Sequence, residues 1–203
     1  MVPADIKLTG PEVDEKIIRE YLEVAFSRAA KIGVRVIVFG SSTARNVPEG
    51  FPHEKGWRQI ADFLRMSSEY AVKYDLDVVI EPLRRFETNI LNLVSEATIL
   101  ASVLQLPRIG VLGDTYHMVA CAEPYDAFGY AGDLLGHVHI CNAMTRRYPV
   151  PGDDGDYEDV FRALKKCGYT GRVSVEARYD SMEKEAAPAY IRLREAMEAV
   201  WAE

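Results

Sequence analysis

Val78-Val79-Ile80-Glu81, Ile109-Gly110-Val111-Leu112-Gly113-Asp114, His137-Val138-His139 and Val173-Ser174-Val175-Glu176 are four short strand-like runs, each closing on a residue that binds hard or borderline metals. One acid at a strand end caps a turn or meets solvent. Four such ends in succession, separated by helix-like stretches, imply a shared purpose. In a parallel α/β barrel every strand C-terminus points to the same face, and that face carries the chemistry. Glu81, Asp114, His139 and Glu176 are therefore expected to meet around one ion although they lie far apart in sequence. His137 shares the strand face of His139, so the residues alone leave the choice between the two open.

Outward from these runs, the alternation of strand and helix extends over the whole chain. Residues 1–10 read as a loop. Pro11-Glu12-Val13-Asp14-Glu15 reads as a helix start, with proline and acids where an N-terminus favours them. Ile17, Ile18, Tyr21, Leu22, Ala25 and Phe26 form a helical apolar stripe that Gly33 ends. Residues 34–39 read as a strand and 40–52 as a long polar loop. Further helices are expected over 57–74, 93–104, 125–135, 157–167 and 184–201. Strands alternating with helices imply parallel βαβ units. The expected fold is a single α/β domain over residues 1–203, a parallel (β/α) barrel of about five strands. A closed barrel of this class has eight strands and usually ~250 residues.

With 203 residues and 48% hydrophobic content, the chain is long and apolar enough to bury a sizeable core. A net charge of −7 argues against a duplex nucleic-acid partner, which needs a basic footprint. Cys121, Cys141 and Cys167 are odd in number and contain no CxxC pair, which suggests neither a structural zinc site nor a disulfide framework. No basic-then-apolar leader follows Met1 and no apolar run is long enough to span a bilayer. The expectation is a cytoplasmic protein without a membrane partner.

Three carboxylates and one imidazole form an oxygen-rich set that suits Mn²⁺, Mg²⁺, Co²⁺ or Fe²⁺, and Zn²⁺ less distinctively. A divalent ion in it can bind two adjacent oxygens of a hydroxy-ketone, acidify the C–H between them and stabilise an enediolate. Glu81 and Glu176 can then act as acid and base on opposite faces of the substrate. Other signals read as structural. Gly152-Asp153-Asp154-Gly155-Asp156 lacks the EF-hand spacing, and Asp156 is expected to cap the next helix. Gly40-Ser41-Ser42 has no phosphate-loop continuation and is a candidate cover over the pocket. Trp57 reads as packing, and Arg84 and Arg85 as a solvated rim from which one of them could reach a substrate oxygen.

Glu81-Pro82-Leu83-Arg84-Arg85-Phe86-Glu87 and Asp114-Thr115-Tyr116-His117-Met118 resemble strand-end motifs of sugar isomerases and epimerases with a xylose-isomerase-like barrel, nearest to the ketose 3-epimerases of D-tagatose and D-psicose type. Gly136-His137-Val138-His139, Val175-Glu176, and the stretch from Pro151 to Gly171 resemble later units of that family. The resemblance implies that Glu81, Asp114, His139 and Glu176 are metal ligands and that Glu81 and Glu176 are the acid/base pair. It implies substrate contacts at Glu87, at His117 and at an arginine after the metal histidine. Here that stretch reads Cys141-Asn142-Ala143-Met144-Thr145-Arg146-Arg147, without the family's GExNR wording, and Arg146 is taken over Arg147. The implied activity is metal-dependent isomerisation or epimerisation of a ketose or related polyol, with one divalent ion, Mn²⁺ first, as cofactor.

The segment resembling Pro3–Pro11 follows the third strand in that family. The first three strands are thus expected to have no counterpart here, leaving an open barrel with free edges near 34–39 and 173–176. Free edges and exposed apolar interior invite association, so a homo-oligomer, a dimer burying the open side, is expected. Within the same superfamily, an inosose-dehydratase-like lyase and an inactive metal-binding remnant are the alternatives. A DNA-repair endonuclease fits the acidic balance and single metal set poorly.

Overall fold

The computed structural model describes residues 1–203. Five parallel strands pair strictly in chain order: β1 (Val36–Phe39), β2 (Asp77–Ile80), β3 (Ile109–Asp114), β4 (Leu135–Ile140) and β5 (Val173–Val175). The sheet curls into an open half-barrel of the TIM type, with the two outer edges, β1 and β5, unpaired. The helices are α1 (Glu15–Lys31), α2 (Ser42–Arg45), α3 (His53–Tyr74), α4 (Val94–Leu104), α5 (Thr115–Ala120), α6 (Ala127–Ala131), α7 (Tyr157–Lys166) and α8 (Met182–Ala202).

Strand alternation divides the sheet into two chemistries. Val78, Ile80, Val111, Val138 and Ile140 join the 37-residue apolar core under the helices. The α1 stripe feeds the same core through Ile18, Leu22 and Phe26, each fully buried and contributing about 1.5–3 kcal/mol. The alternate residues Val79, Leu112 and His137 face the inside of the half-barrel, below the strand-end acids. A register shift keeps β4 in phase: Val111 pairs with Leu135 and Leu112 with His137, so Gly136 is the extra residue. A Cβ at Gly136 would lie 2.8 Å from Val79 Cγ1, so the bulge needs glycine.

Local chemistry corrects several expectations. The first helix begins at Glu15, not Pro11, because Asp14 accepts hydrogen bonds from the Lys16 and Ile17 amides and thereby caps it. The polar loop after β1 contains a helical turn, α2, and the expected helix over 125–135 is short. It stops at Ala131, where Gly132 turns to φ +51°, and a 3₁₀ turn (Gly132–Leu134) leads into β4. Asp156 occupies the N-cap position of α7, but its carboxylate accepts from Tyr125 Oη at 2.9 Å instead of capping.

One cap comes from elsewhere in the chain. Glu123 accepts from the amides of Val94 (2.8 Å) and Ser95 (3.1 Å), placing a carboxylate on the positive end of α4. Glu123→Ala is expected to cost about 1 kcal/mol and lower the melting temperature by roughly 2–4 °C. An unchanged melt would mean that water serves α4 equally well. Along the β5 edge runs an apolar groove of about 700 Å³, lined by Phe161, Val173, Val175, Tyr190, Leu193 and Met197 among others. No helix is long and apolar enough to cross a membrane.

Candidate metal centre

The strand ends deliver four side chains to one point. Glu81 follows β2 directly, and its amide donates to Phe39 O at 3.0 Å, extending the β1–β2 ladder by one rung. Asp114 ends β3, His139 lies on β4, and Glu176 follows β5 with its amide bonded to Ile140 O at 3.2 Å. His139 Nδ1 lies 3.0 Å from Glu176 Oε2, 3.2 Å from Glu81 Oε1 and 3.5 Å from Asp114 Oδ2. One donor atom from each of the four residues falls within 4.8 Å of the others. The set offers three carboxylate oxygens and one imidazole nitrogen around a common point, which fits a hard or borderline divalent ion. His137 does not join them. Its Nε2 pairs with Ser174 Oγ at 3.0 Å, one layer below the cluster.

Charge accumulates here. Burial opposes protonation of His139, but its hydrogen bonds to Asp114, Glu176 and Glu81 outweigh it and push the imidazole up to about 11. The His139 hydrogen bond holds Glu176 down at about 2, against the opposing effect of burial. Burial raises Asp114. In the metal-free protein the imidazolium therefore serves as the cluster's cation. A metal needs the bare Nδ1, so binding must expel that proton. Between the ordinary histidine value near 6.5 and the raised value near 11, the free site is protonated and the occupied site is not. At pH 7.5 at least one proton is expected to leave per ion bound, and apparent affinity should rise about tenfold per pH unit. Calorimetry in buffers of different ionisation enthalpy counts the protons. A count of zero would mean that the imidazole of the free site carries no extra proton at this pH.

Asp114 has a second duty. Its Oδ1 accepts from the His117 amide at 3.0 Å and so caps α5, a six-residue helix that turns directly out of β3. This brings His117 inward, and its Nδ1 accepts from the Arg84 amide at 3.2 Å. The proton of the neutral ring is then on Nε2, which is buried and has no partner. Burial lowers the His117 pKa, with Asp114 and Glu87 acting in the other direction, so the ring is neutral at pH 7. An unpartnered buried donor beside a carboxylate cluster suits a polar ligand atom.

Glu87 and Arg146 also arrive. Glu87 Oε1 accepts from Arg84 Nε at 2.8 Å and from Arg146 Nη1 at 3.3 Å. Arg146 Nη2 lies 3.8 Å from Glu176 Oε1. Its position follows from a tight turn in which Asn142 Oδ1 accepts from the Met144 and Thr145 amides, leaving Arg146 at φ +55°. Arg147 turns away and pairs with Asp180 at 2.6 Å. Tyr116 is a further member that sequence reasoning missed. Its ring carries the guanidinium of Arg84 at 4.9 Å and that of Arg146 at 4.6 Å, stacking both against the site. Nothing in a lone tyrosine after Asp114-Thr115 signals this. Two arginines in separate loops have to meet it in space.

The acidic loop near 153 is a structural tie. Asp153 Oδ2 accepts from Tyr157 Oη at 2.6 Å and from the Val150 amide at 3.2 Å. Trp57 packs against the core, as expected.

A sequence model of the xylose isomerase-like TIM barrel family matches residues 2–199. The 3-dehydro-D-guloside 4-epimerase of Escherichia coli (strain K12) is 28% identical over 178 residues, covering 85% of this chain and 64% of that protein. The L-ribulose 3-epimerase of Methylomonas sp. (strain DH-1) is 32% identical over 179 residues, covering 85% of this chain and 60% of that protein. The chain thus spans somewhat under two-thirds of the length of these curated relatives. A solved L-ribulose 3-epimerase structure superposes with a TM-score of 0.82 at 21% identity, over 99% of this chain and 74% of that one, a likeness of fold.

Proposed function

Given that this chain belongs to the xylose isomerase-like TIM barrel family, we propose that it is a divalent-metal-dependent sugar isomerase or epimerase acting on a ketose or related polyol. The observation that carries the reading is the convergence of Glu81, Asp114, His139 and Glu176 beside the unpartnered Nε2–H of His117. The four residues would hold the ion, with Mn²⁺ the first candidate. When bound, the ion supplies Lewis acidity toward two vicinal substrate oxygens. Glu176 takes the C3 proton from one face of the ketose, and the electron pair moves into the C2 carbonyl to form a cis-enediolate. Glu81, acting as the acid, returns a proton to C3 from the opposite face, inverting that centre, and the roles exchange in the reverse direction. His117 donates to a substrate oxygen, while Glu87 and Arg146 hold the neighbouring hydroxyls.

Exchange of the C3 proton in deuterium oxide across a panel of ketoses tests this reading. Deuterium at C3 only with Mn²⁺ or a similar ion supports it. Bound metal with no exchange on any ketose sinks it, and loss of water from a cyclic polyol would move the assignment to a lyase. The reading extends to a cytoplasmic homodimer that covers the free edges and the apolar groove along β5. A monodisperse monomer in sedimentation at micromolar concentration would contradict the dimer.

A further inference from the structure

We propose that Arg45 is a positioning residue that holds the Glu81 backbone in place for the metal cluster. The proposal rests on the metal-site reading above and adds a residue that contacts neither the ion nor the substrate. Arg45 is the largest side chain in the protein with no exposure. It ends α2, the helical turn after β1, and folds back under the strand ends. Its guanidinium donates to three main-chain carbonyls: Nη1 to Glu81 O at 2.9 Å and to Phe39 O at 3.2 Å, and Nη2 to Leu91 O at 3.1 Å. One cation thus pins the end of β1, the residue after β2, and the loop that carries Glu87.

A buried charge is costly unless it is paired, and no carboxylate touches this one. Its Nε has no partner at all. Burial lowers the guanidinium to about 10, with Glu81 and Glu96 the nearest charges opposing that shift, so the cation persists at neutral pH. A residue placed only to fill space would be apolar there, as the surrounding core is. A guanidinium offers several N–H donors in a fixed fork, and three carbonyls from three segments use them at once. One of the carbonyls it grips belongs to Glu81, so the side chain fixes the main chain from which that carboxylate reaches the cluster.

The test uses R45M and R45K, with Q59L as a structural control. Gln59 makes a two-way bond to the Gly10 main chain in the same loop layer without touching Glu81. Two measurements are made on the full chain: Mn²⁺ affinity by calorimetry, and deuterium exchange of amides 78–83 in the metal-free state. The expected result is a loss of Mn²⁺ affinity of tenfold or more in R45M, a smaller loss in R45K, and none in Q59L. Exchange at 78–83 should rise in the same order. If R45M does not fold, R45K carries the comparison. Unchanged affinity and exchange in the Arg45 variants would overturn the proposal. So would losses that merely follow the melting temperature alongside Q59L. If the unsubstituted protein binds no Mn²⁺, the metal-dependent reading fails, and Arg45 is then judged by exchange at 78–83 alone.

Discussion

Glu176→Gln is expected to lower C3 proton exchange on the preferred ketose by about 10²–10⁴-fold at saturating Mn²⁺. In the metal-free protein the His139 hydrogen bond holds the Glu176 carboxylate at about 2, and in the loaded site a divalent cation would keep it ionised in place of the imidazolium. Glutamine keeps an oxygen donor but cannot take a proton. The side chain is 45% exposed where Glu81 is 8% exposed, so it is also the member of the cluster most open to an arriving substrate. The loss should fall on kcat rather than KM, since a proton acceptor is used in the transition state. Calorimetry on the same variant separates weakened metal binding from lost chemistry. Residual exchange above a tenth of the original, with metal bound, would remove Glu176 from the role of base.

Gly40→Ala is expected to weaken Mn²⁺ binding by about 10–100-fold, the range found when groups supporting a metal ligand are disturbed. A Cβ at position 40 would stand 2.3 Å from Glu81 Oε2 and 3.4 Å from Cδ. The main chain cannot retreat, because β1 is paired to β2 up to Phe39 and Arg45 grips the Phe39 carbonyl. The carboxylate must therefore swing, and its residue is already buried. The metal-free protein should melt nearly as before, since rotation relieves the clash. Gly129→Ala, where an added Cβ meets nothing within 4 Å, is the control and should leave affinity unchanged. Affinity retained within twofold in Gly40→Ala would mean that the displaced carboxylate still reaches the ion.

The strands are legible in the sequence because each apolar run ends abruptly in an acid or histidine, and parallel topology then sends all those ends to one face. That logic needs no knowledge of contacts, so Glu81, Asp114, Glu176 and one histidine of the His137–His139 pair can be named from order alone, and Glu81, Asp114, His139 and Glu176 do converge. Residues whose position depends on a partner in another loop are harder. Arg45 reads as one more charge in a polar segment, and its burial is visible only once three carbonyls from three segments surround it. The turn at α5 is hidden because Asp114 both ends a strand and caps a helix, which leaves no linker to mark the boundary. Gly40 reads as part of a cover over the pocket, whereas its significance is the space it leaves for a carboxylate. The choice between His137 and His139 rests on register, which the bulge at Gly136 sets. Asp156 looks like a helix cap by spacing, and Tyr125 takes its carboxylate instead.

Strand order equal to chain order has a consequence for how the protein is made. Each strand pairs only with its immediate predecessor and successor, so no rung of the sheet requires the first and last strands to find one another. Among these five strands the longest loop closure, the slow and entropically expensive step of a ring, does not arise. The sheet can grow one βα unit at a time as the polypeptide leaves the ribosome, each new strand templated on the edge before it. The cluster does not share that gradual history. Its ligands follow β2, end β3, sit on β4 and follow β5, so the fourth donor, Glu176, emerges only after nearly the whole sheet is in place. A nascent chain can therefore be largely folded and still lack a complete set of ligands, and full metal competence comes with the docking of a three-residue strand.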